Sequence, residues 1–150
     1  MIKKLLQHWK RTLIILVAAL LVLTGLASIP MVGNNPPVVS TPTWDSPQTE
    51  QLAMTACGDC HSNLTVWPWY SYVPPVSFLV GNHTREGRTK LNFSDWDATT
   101  RRLETGEIRE VIQDGEMPTW DYALIHPAAR LTDAQKQALI DGLTATLANK

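Results

Sequence analysis

The apolar and polar positions divide the chain into three stretches. From Thr12 to about Val32 it reads TLIILVAALLVLTGLASIPMV, without a charge and with only Thr24 and Ser28 as small polar interruptions. In helical form about 20 such residues, rising about 1.5 Å each, match a hydrocarbon core of about 30 Å. No polar face is left to turn toward water, so the pattern predicts a transmembrane signal-anchor helix over 12–32. A cleaved signal peptide is the rival, because Gly25-Leu26-Ala27 offers small residues at the right spacing before Ser28. The length of the apolar run favours the anchor.

Residues 33–48 follow as a spacer, with Pro36, Pro37, Pro42 and Pro47 denying backbone donors and biasing their neighbours toward extended conformations. The domain proper is expected over 49–150. A first short helix should start near Ser46 to Thr49, bury Leu52, Ala53 and Ala56, and run into Cys57. WPWYSYVPPVSFLV, aromatic and proline-rich, reads as a packed irregular loop. Ser94 and Asp97 stand at capping-box spacing ahead of Trp96, Thr100 and Leu103, predicting a second helix that Gly106 ends. A third spans about Glu107 to Asp114, burying Ile108, Val111 and Ile112 and stopping at Gly115. The last is the clearest: Thr132 and Gln135 form a second capping pair, and Leu139, Leu143 and Leu147 recur at helical spacing. No alternating β-branched run competes, so the fold class is mainly α, with short helices and long loops behind one transmembrane helix.

Composition changes this picture in two places. The net charge of -1 gives no reason to expect nucleic acid, yet Lys3, Lys4, Lys10 and Arg11 precede every acidic residue. That basic end, residues 1–11, should stay in the cytoplasm and place everything after about Val32 outside it. A loop-rich domain this small has a marginal hydrophobic core, and a large apolar ligand at its centre would supply what is missing.

The two cysteines stand in Cys57-Gly58-Asp59-Cys60-His61. A disulfide closing so short a loop would remove little chain entropy. C-x-x-C-H is instead the attachment pattern of a c-type haem: both thiols add to vinyl groups on one edge of the macrocycle, and the adjacent imidazole becomes an axial iron ligand. Gly58 relieves crowding in the turn. A thioredoxin-like dithiol would normally follow a strand, and none precedes it. A zinc site would need two further ligands, for which His83 and His126 remain.

Met and His are the common sixth ligands, and both are scarce here. Met1 and Met31 belong to the anchor region, and Met54 lies one helical turn before Cys57 on the proximal side. Met117, His83 and His126 are left. Elimination favours Met117, in an irregular loop where Pro118 biases it toward an extended conformation. Its plain alternative is a core gap-filler, and for both histidines it is a solvated loop position. Trp67, Trp69, Tyr70, Tyr72, Phe78, Trp96 and Trp120 are core or haem wall. The haem propionates need donors, for which Arg88 is the first choice, ahead of Arg85, Lys90 and the indole N–H groups of Trp67 and Trp69.

With CGDCHSNLTVWPWYSYVPPVSFLV, EGRTKLNFSDW and GEMPTWDYALIHPAARLTDAQ in view, the chain resembles the small bacterial haem-binding domain family of c-type cytochromes over about Gln51 to Leu147. That family is similar to class I cytochromes c. The resemblance implies a helical haem-wrapping fold, ligated at Cys57, Cys60, His61 and Met117. His83 matches no family ligand.

The expected role is a membrane-tethered monohaem electron carrier and not an enzyme, in contact with the lipid bilayer and with redox proteins that serve as electron donor and acceptor. A peroxidase-like enzyme or gas sensor would need an open distal position. A structural subunit of a larger redox complex is the third reading.

Overall fold

The computed structural model describes residues 2–100, 103 and 105–149. It is mainly helical, as the pattern predicts: α1 (Ile2–Ser28), α2 (Pro47–Ala56), α3 (Gly58–His61), a 3₁₀ turn (Trp69–Tyr72), α4 (Val76–Lys90), α5 (Trp96–Thr99), α6 (Thr105–Gln113), α7 (Trp120–Ile125), a second 3₁₀ turn (Pro127–Ala129) and α8 (Asp133–Ala148). Among the described residues the only β pairing is an isolated bridge between Ser40 and Asp95. The chain forms two compact units, residues 1–34 with 67–83, and residues 35–66 with 84–150.

In the first unit, Leu6–Ser28 of α1 is long and apolar enough to cross a membrane, a property that a signal sequence shares. The last turns of α1 pack on the start of α4. A side chain at Gly25 would meet Pro74 Cγ at 2.8 Å, and one at Gly81 would meet Met31 Cβ at 2.7 Å. Between these contacts the Ser28 and Ser77 hydroxyls, both buried, lie 2.9 Å apart. Small residues on both partners thus permit a close approach.

The segment expected to be an irregular loop is therefore partly regular. Pro74 and Pro75 precede α4 rather than interrupt it, and at a helix start a missing N–H removes no helical bond. The Phe78 N–H donates to the Pro75 carbonyl at 3.1 Å, opening the first turn.

The second unit is built on one cluster: Ala53 of α2, Leu91, Phe93 and Trp96 around the start of α5, Ile108 and Ile112 of α6, and Leu139, Ile140 and Leu143 of α8. The helical spacing had marked most of these. Ser46 caps α2, accepting from the Thr49 N–H at 3.2 Å, and Thr132 and Gln135 form the full capping box of α8. Gly115, at φ 76°, ends α6 in the left-handed conformation that favours glycine.

Three expectations need correction. Ser94 does not cap a helix: its hydroxyl accepts from the Asn63 N–H at 3.0 Å, and α5 is a four-residue turn begun at Asp95. Gly106 does not end a helix but lies in the first turn of α6, where a side chain would meet nothing within 4 Å. Residues 101, 102 and 104, which the second helix was expected to include, lie outside the described residues. The proline-rich stretch read as a spacer is bound along the second unit for much of its length. The Val39 N–H donates to the Ser94 carbonyl at 2.8 Å, the Trp96 N–H to the Ser40 carbonyl at 3.3 Å, and Asn63 Nδ2 to the Pro37 carbonyl at 2.9 Å. Prolines remove donors but leave every carbonyl available, so such a strand can still be sewn down.

Candidate functional site

The C-x-x-C-H sequence sits where α2 hands over to α3. The Cys57 N–H completes α2 by donating to the Ala53 carbonyl at 2.8 Å. The Cys57 carbonyl then accepts from the N–H groups of Cys60 at 3.1 Å and His61 at 2.8 Å. Both thiols and the imidazole therefore leave a single turn of backbone. Gly58 is buried beneath Met54, whose Cε lies 3.2 Å from where a glycine Cβ would stand. That contact is the crowding Gly58 avoids, and Met54 itself packs against the core cluster.

His61 is held by the segment after α4. Its Nδ1 lies 2.9 Å from the Leu91 carbonyl, and its own carbonyl accepts from the Phe93 N–H at 2.7 Å. With Nδ1 donating, the neutral ring carries its lone pair on Nε2. Burial lowers the His61 pKa, opposed by the Leu91 and Gly87 carbonyls, so the ring is neutral near pH 7. An imidazole with one nitrogen tied to a backbone carbonyl and the other carrying a lone pair has the form of a metal ligand with its supporting partner.

Arg88 of α4 fixes the chain just beyond His61. Its Nε donates to the Ser62 carbonyl at 2.8 Å, and its Nη2 donates to Thr65 Oγ1 at 2.8 Å and Asn35 Oδ1 at 2.9 Å. A guanidinium expected to meet a propionate is thus engaged in clamping the polypeptide. The Ser62 hydroxyl donates back to the Gly58 carbonyl at 2.7 Å, and Asn92 Nδ2 donates to Asn63 Oδ1 at 3.0 Å. Sequence CHSN is therefore a hydrogen-bonded wrap around the attachment turn.

Asp59 links this turn to the far end of the domain. Its Oδ1 accepts from the Val66 N–H at 3.0 Å, and its Oδ2 accepts from the Tyr122 hydroxyl of α7 at 2.8 Å. Burial, with the Asp59 carboxylate beside it, pushes the Tyr122 pKa up, so the phenol stays protonated and donating. Met117 lies in the loop between α6 and α7, half-buried, with its N–H on the Val111 carbonyl at 2.9 Å. The segment carrying Met117 is thus tied to α6 before it and, through Tyr122, to the cysteine turn after it.

Cys57 and Cys60 are unpaired thiols, both half-buried. Burial pushes Cys57 up to about 12, with Cys60 adding to the effect. Burial also pushes Cys60 up to about 11, with the Asp59 charge raising it and Thr84 opposing. Gly87 of α4 lies against the Cys60 carbonyl so closely that any Cβ there would collide with it.

Cys57, Cys60, His61, Arg88, Met117 and His126 all belong to the second unit, whereas Trp67, Trp69 and His83 belong to the first. His83 is on α4 rather than in a loop. His126 stacks on Tyr122 with ring centroids 3.9 Å apart, and its Nδ1 lies 3.0 Å from the Tyr122 carbonyl. Among the described residues no three His, Cys, Asp or Glu side chains gather as a metal site, so the C-x-x-C pair lacks the ligand set of a zinc centre. Sequence reasoning overlooked Asp59, Gly87 and Tyr122. Only the acidic residue standing between the two cysteines offered a signal, for the first of them.

The family described as Haem-binding domain matches residues 21–145 of the chain. No curated protein and no solved structure matches it.

Proposed function

The chain belongs to the haem-binding domain family, and from that premise we propose that it is a membrane-anchored monohaem c-type cytochrome that carries single electrons on the periplasmic side of the cytoplasmic membrane. The observation that carries this reading is the single backbone turn from which Cys57, Cys60 and His61 all leave, with His61 Nδ1 tied to the Leu91 carbonyl.

The donors fit the group. Two reduced thiols separated by two residues suit the vinyl edge of a porphyrin. Each S–H would add across one vinyl double bond, sulfur to one carbon and hydrogen to its neighbour, which requires no oxidant and no leaving group. Haem held there would supply one-electron redox chemistry. His61 would hold the iron through Nε2, its tautomer and orientation fixed by Leu91. Met117 would offer its thioether as a second donor, from a loop tied down at Val111 and, through α7, at Asp59. An iron held by a histidine and a methionine would favour outer-sphere transfer over substrate chemistry, at a raised potential. The engagement of His126 with Tyr122 supports a carrier over an enzyme, since a distal acid or base would have to leave that stack.

Anchoring is supported by the first unit. Ser28 is buried against Ser77, and Gly25 lies against Pro74, so a cleaved leader would take the packing partner of α4 with it.

Absorbance of the purified full chain tests the reading. The reduced protein is expected to show a low-spin spectrum unchanged by carbon monoxide, and the oxidised protein a weak near-infrared sulfur-to-iron band that Met117→Ala removes. A high-spin reduced iron that binds carbon monoxide rapidly contradicts a carrier. A sulfur band that survives Met117→Ala contradicts the ligand.

A further inference from the structure

We propose that the segment from Trp67 to Leu79 lies in the outer lipid interface, as a second, non-spanning membrane contact beside α1. The inference rests on the anchor reading above and goes beyond it, because an anchor alone needs only α1.

The sequence supplies the first observation. Between Asp59 and Arg85 the chain contains no Asp, Glu, Lys or Arg, and the middle of that stretch is WPWYSYVPPVSFLV. In a water-facing loop so long a charge-free aromatic run is unusual, because loops are where a domain meets solvent.

Its surface supplies the second. Trp69 is 77% exposed, Tyr72 58%, Val73 44%, Phe78 43% and Leu79 45%, all within one compact unit. They are close in sequence and belong to one unit, so they form a patch rather than scattered apolar positions. Tryptophan and tyrosine beside aliphatic residues are the composition of the membrane–water boundary, where an aromatic ring can be apolar on one side and wet on the other.

The level of that patch along α1 is the third observation, and it selects lipid as the occupant. The apolar helical span Leu6–Ser28 ends at Ser28, so the hydrocarbon should end near there. The contacts of the segment with α1 and the residues after it fall around this end: Pro74 at Gly25, Ser77 at Ser28, and Gly81 at Met31 and Val32. The Tyr72 hydroxyl lies 3.3 Å from a Cβ placed on Gly33. Residues 72–81 therefore flank the outer end of the span, within about 10 Å of its limit at about 1.5 Å per residue. Side chains facing away from α1 at that height meet acyl chains and headgroups. The 3₁₀ turn and the start of α4 satisfy their own backbone groups through bonds such as Val73 N–H to the Tyr70 carbonyl at 3.1 Å and Ser77 N–H to the Val73 carbonyl at 2.9 Å, as lipid contact requires.

The test uses the full haem-loaded chain, whose native cysteines are consumed in attachment, in phosphatidylcholine–phosphatidylglycerol vesicles. Single cysteines are introduced as Phe78→Cys, Leu79→Cys, Val17→Cys within α1 and Gln113→Cys on the exposed face of α6, each checked for an unaltered haem spectrum. A membrane-impermeant maleimide is expected to label positions 78 and 79 at least about tenfold more slowly than position 113, and position 17 hardly at all. Labelling of 78 and 79 within about threefold of 113 while 17 stays protected overturns the interfacial contact and leaves the anchor standing. Labelling of 17 as fast as 113 overturns the anchor, and the inference with it. Protection of 78 and 79 that disappears at one chain per vesicle assigns the patch to a protein partner and also overturns the proposal.

Discussion

The Tyr122 hydroxyl donates to Asp59 Oδ2 at 2.8 Å, and this bond joins α7 to the turn between the two cysteines. Met117, proposed above as a haem ligand, lies five positions before Tyr122, so the bond tethers the segment that carries it to the cysteine motif.

Tyr122→Phe removes the donor and leaves Asp59 with only the Val66 N–H. A half-buried bond to a carboxylate contributes about 1–2 kcal/mol, so urea unfolding should show a loss of that size. The reduced variant should also bind carbon monoxide more readily than the parent as Met117 detaches more often. An unchanged carbon monoxide response with the stability loss would show that the bond serves folding alone.

Arg88→Ala tests a clamp against a propionate partner. Loss of the contacts to Ser62, Thr65 and Asn35 should destabilise the protein by about 2 kcal/mol, discounted for partial exposure, while the reduction potential stays close to the parent value. A large potential shift with stability retained would assign Arg88 to the haem.

Gly87→Ala and Gly106→Ala should act in opposite directions. Alanine favours a helix by up to about 1 kcal/mol over glycine. At Gly106 the space is open and the variant should be neutral or more stable; at Gly87 the new Cβ collides with the Cys60 carbonyl, which no rotamer change relieves. A net loss of about 1–3 kcal/mol is expected there, with poorer haem incorporation. Equal thermal stability of the two variants would contradict the close approach.

Before attachment the thiols should be unreactive. A thiol raised to about 11 at Cys60 carries about 100-fold less thiolate at pH 8 than one at the ordinary 9.0, and Cys57, at about 12, carries less still. Thiolate is lost as pH falls below the pKa, so iodoacetamide labelling of folded haem-free protein should accelerate only as pH climbs toward 11. Urea-unfolded chain should label readily at pH 8. Equal rates in the two states would show that the thiols are not buried as described.

The sequence was legible wherever one local rule decided the outcome. Ser46 and Thr132 cap the helices that their hydroxyls announce, and the leucines of α8 form the core stripe that their spacing implies. It misled where a tertiary partner claimed the same group: Ser94 has a capping serine's spacing but accepts from Asn63. The helix α4 was hidden by Pro74 and Pro75, which interrupt a helix when inside it and begin one when before it. Pairings such as Tyr122 with Asp59, 63 positions apart, leave no local pattern to read.

The central claim is tested most directly by intact-mass spectrometry of the full chain, denatured and extracted with acidified acetone after production with a c-type haem attachment pathway. One haem is expected to remain on the parent protein and to be absent from Cys57→Ser/Cys60→Ser. A parent chain that sheds its haem on denaturation and weighs no more than its amino acids would contradict covalent attachment through the two cysteines.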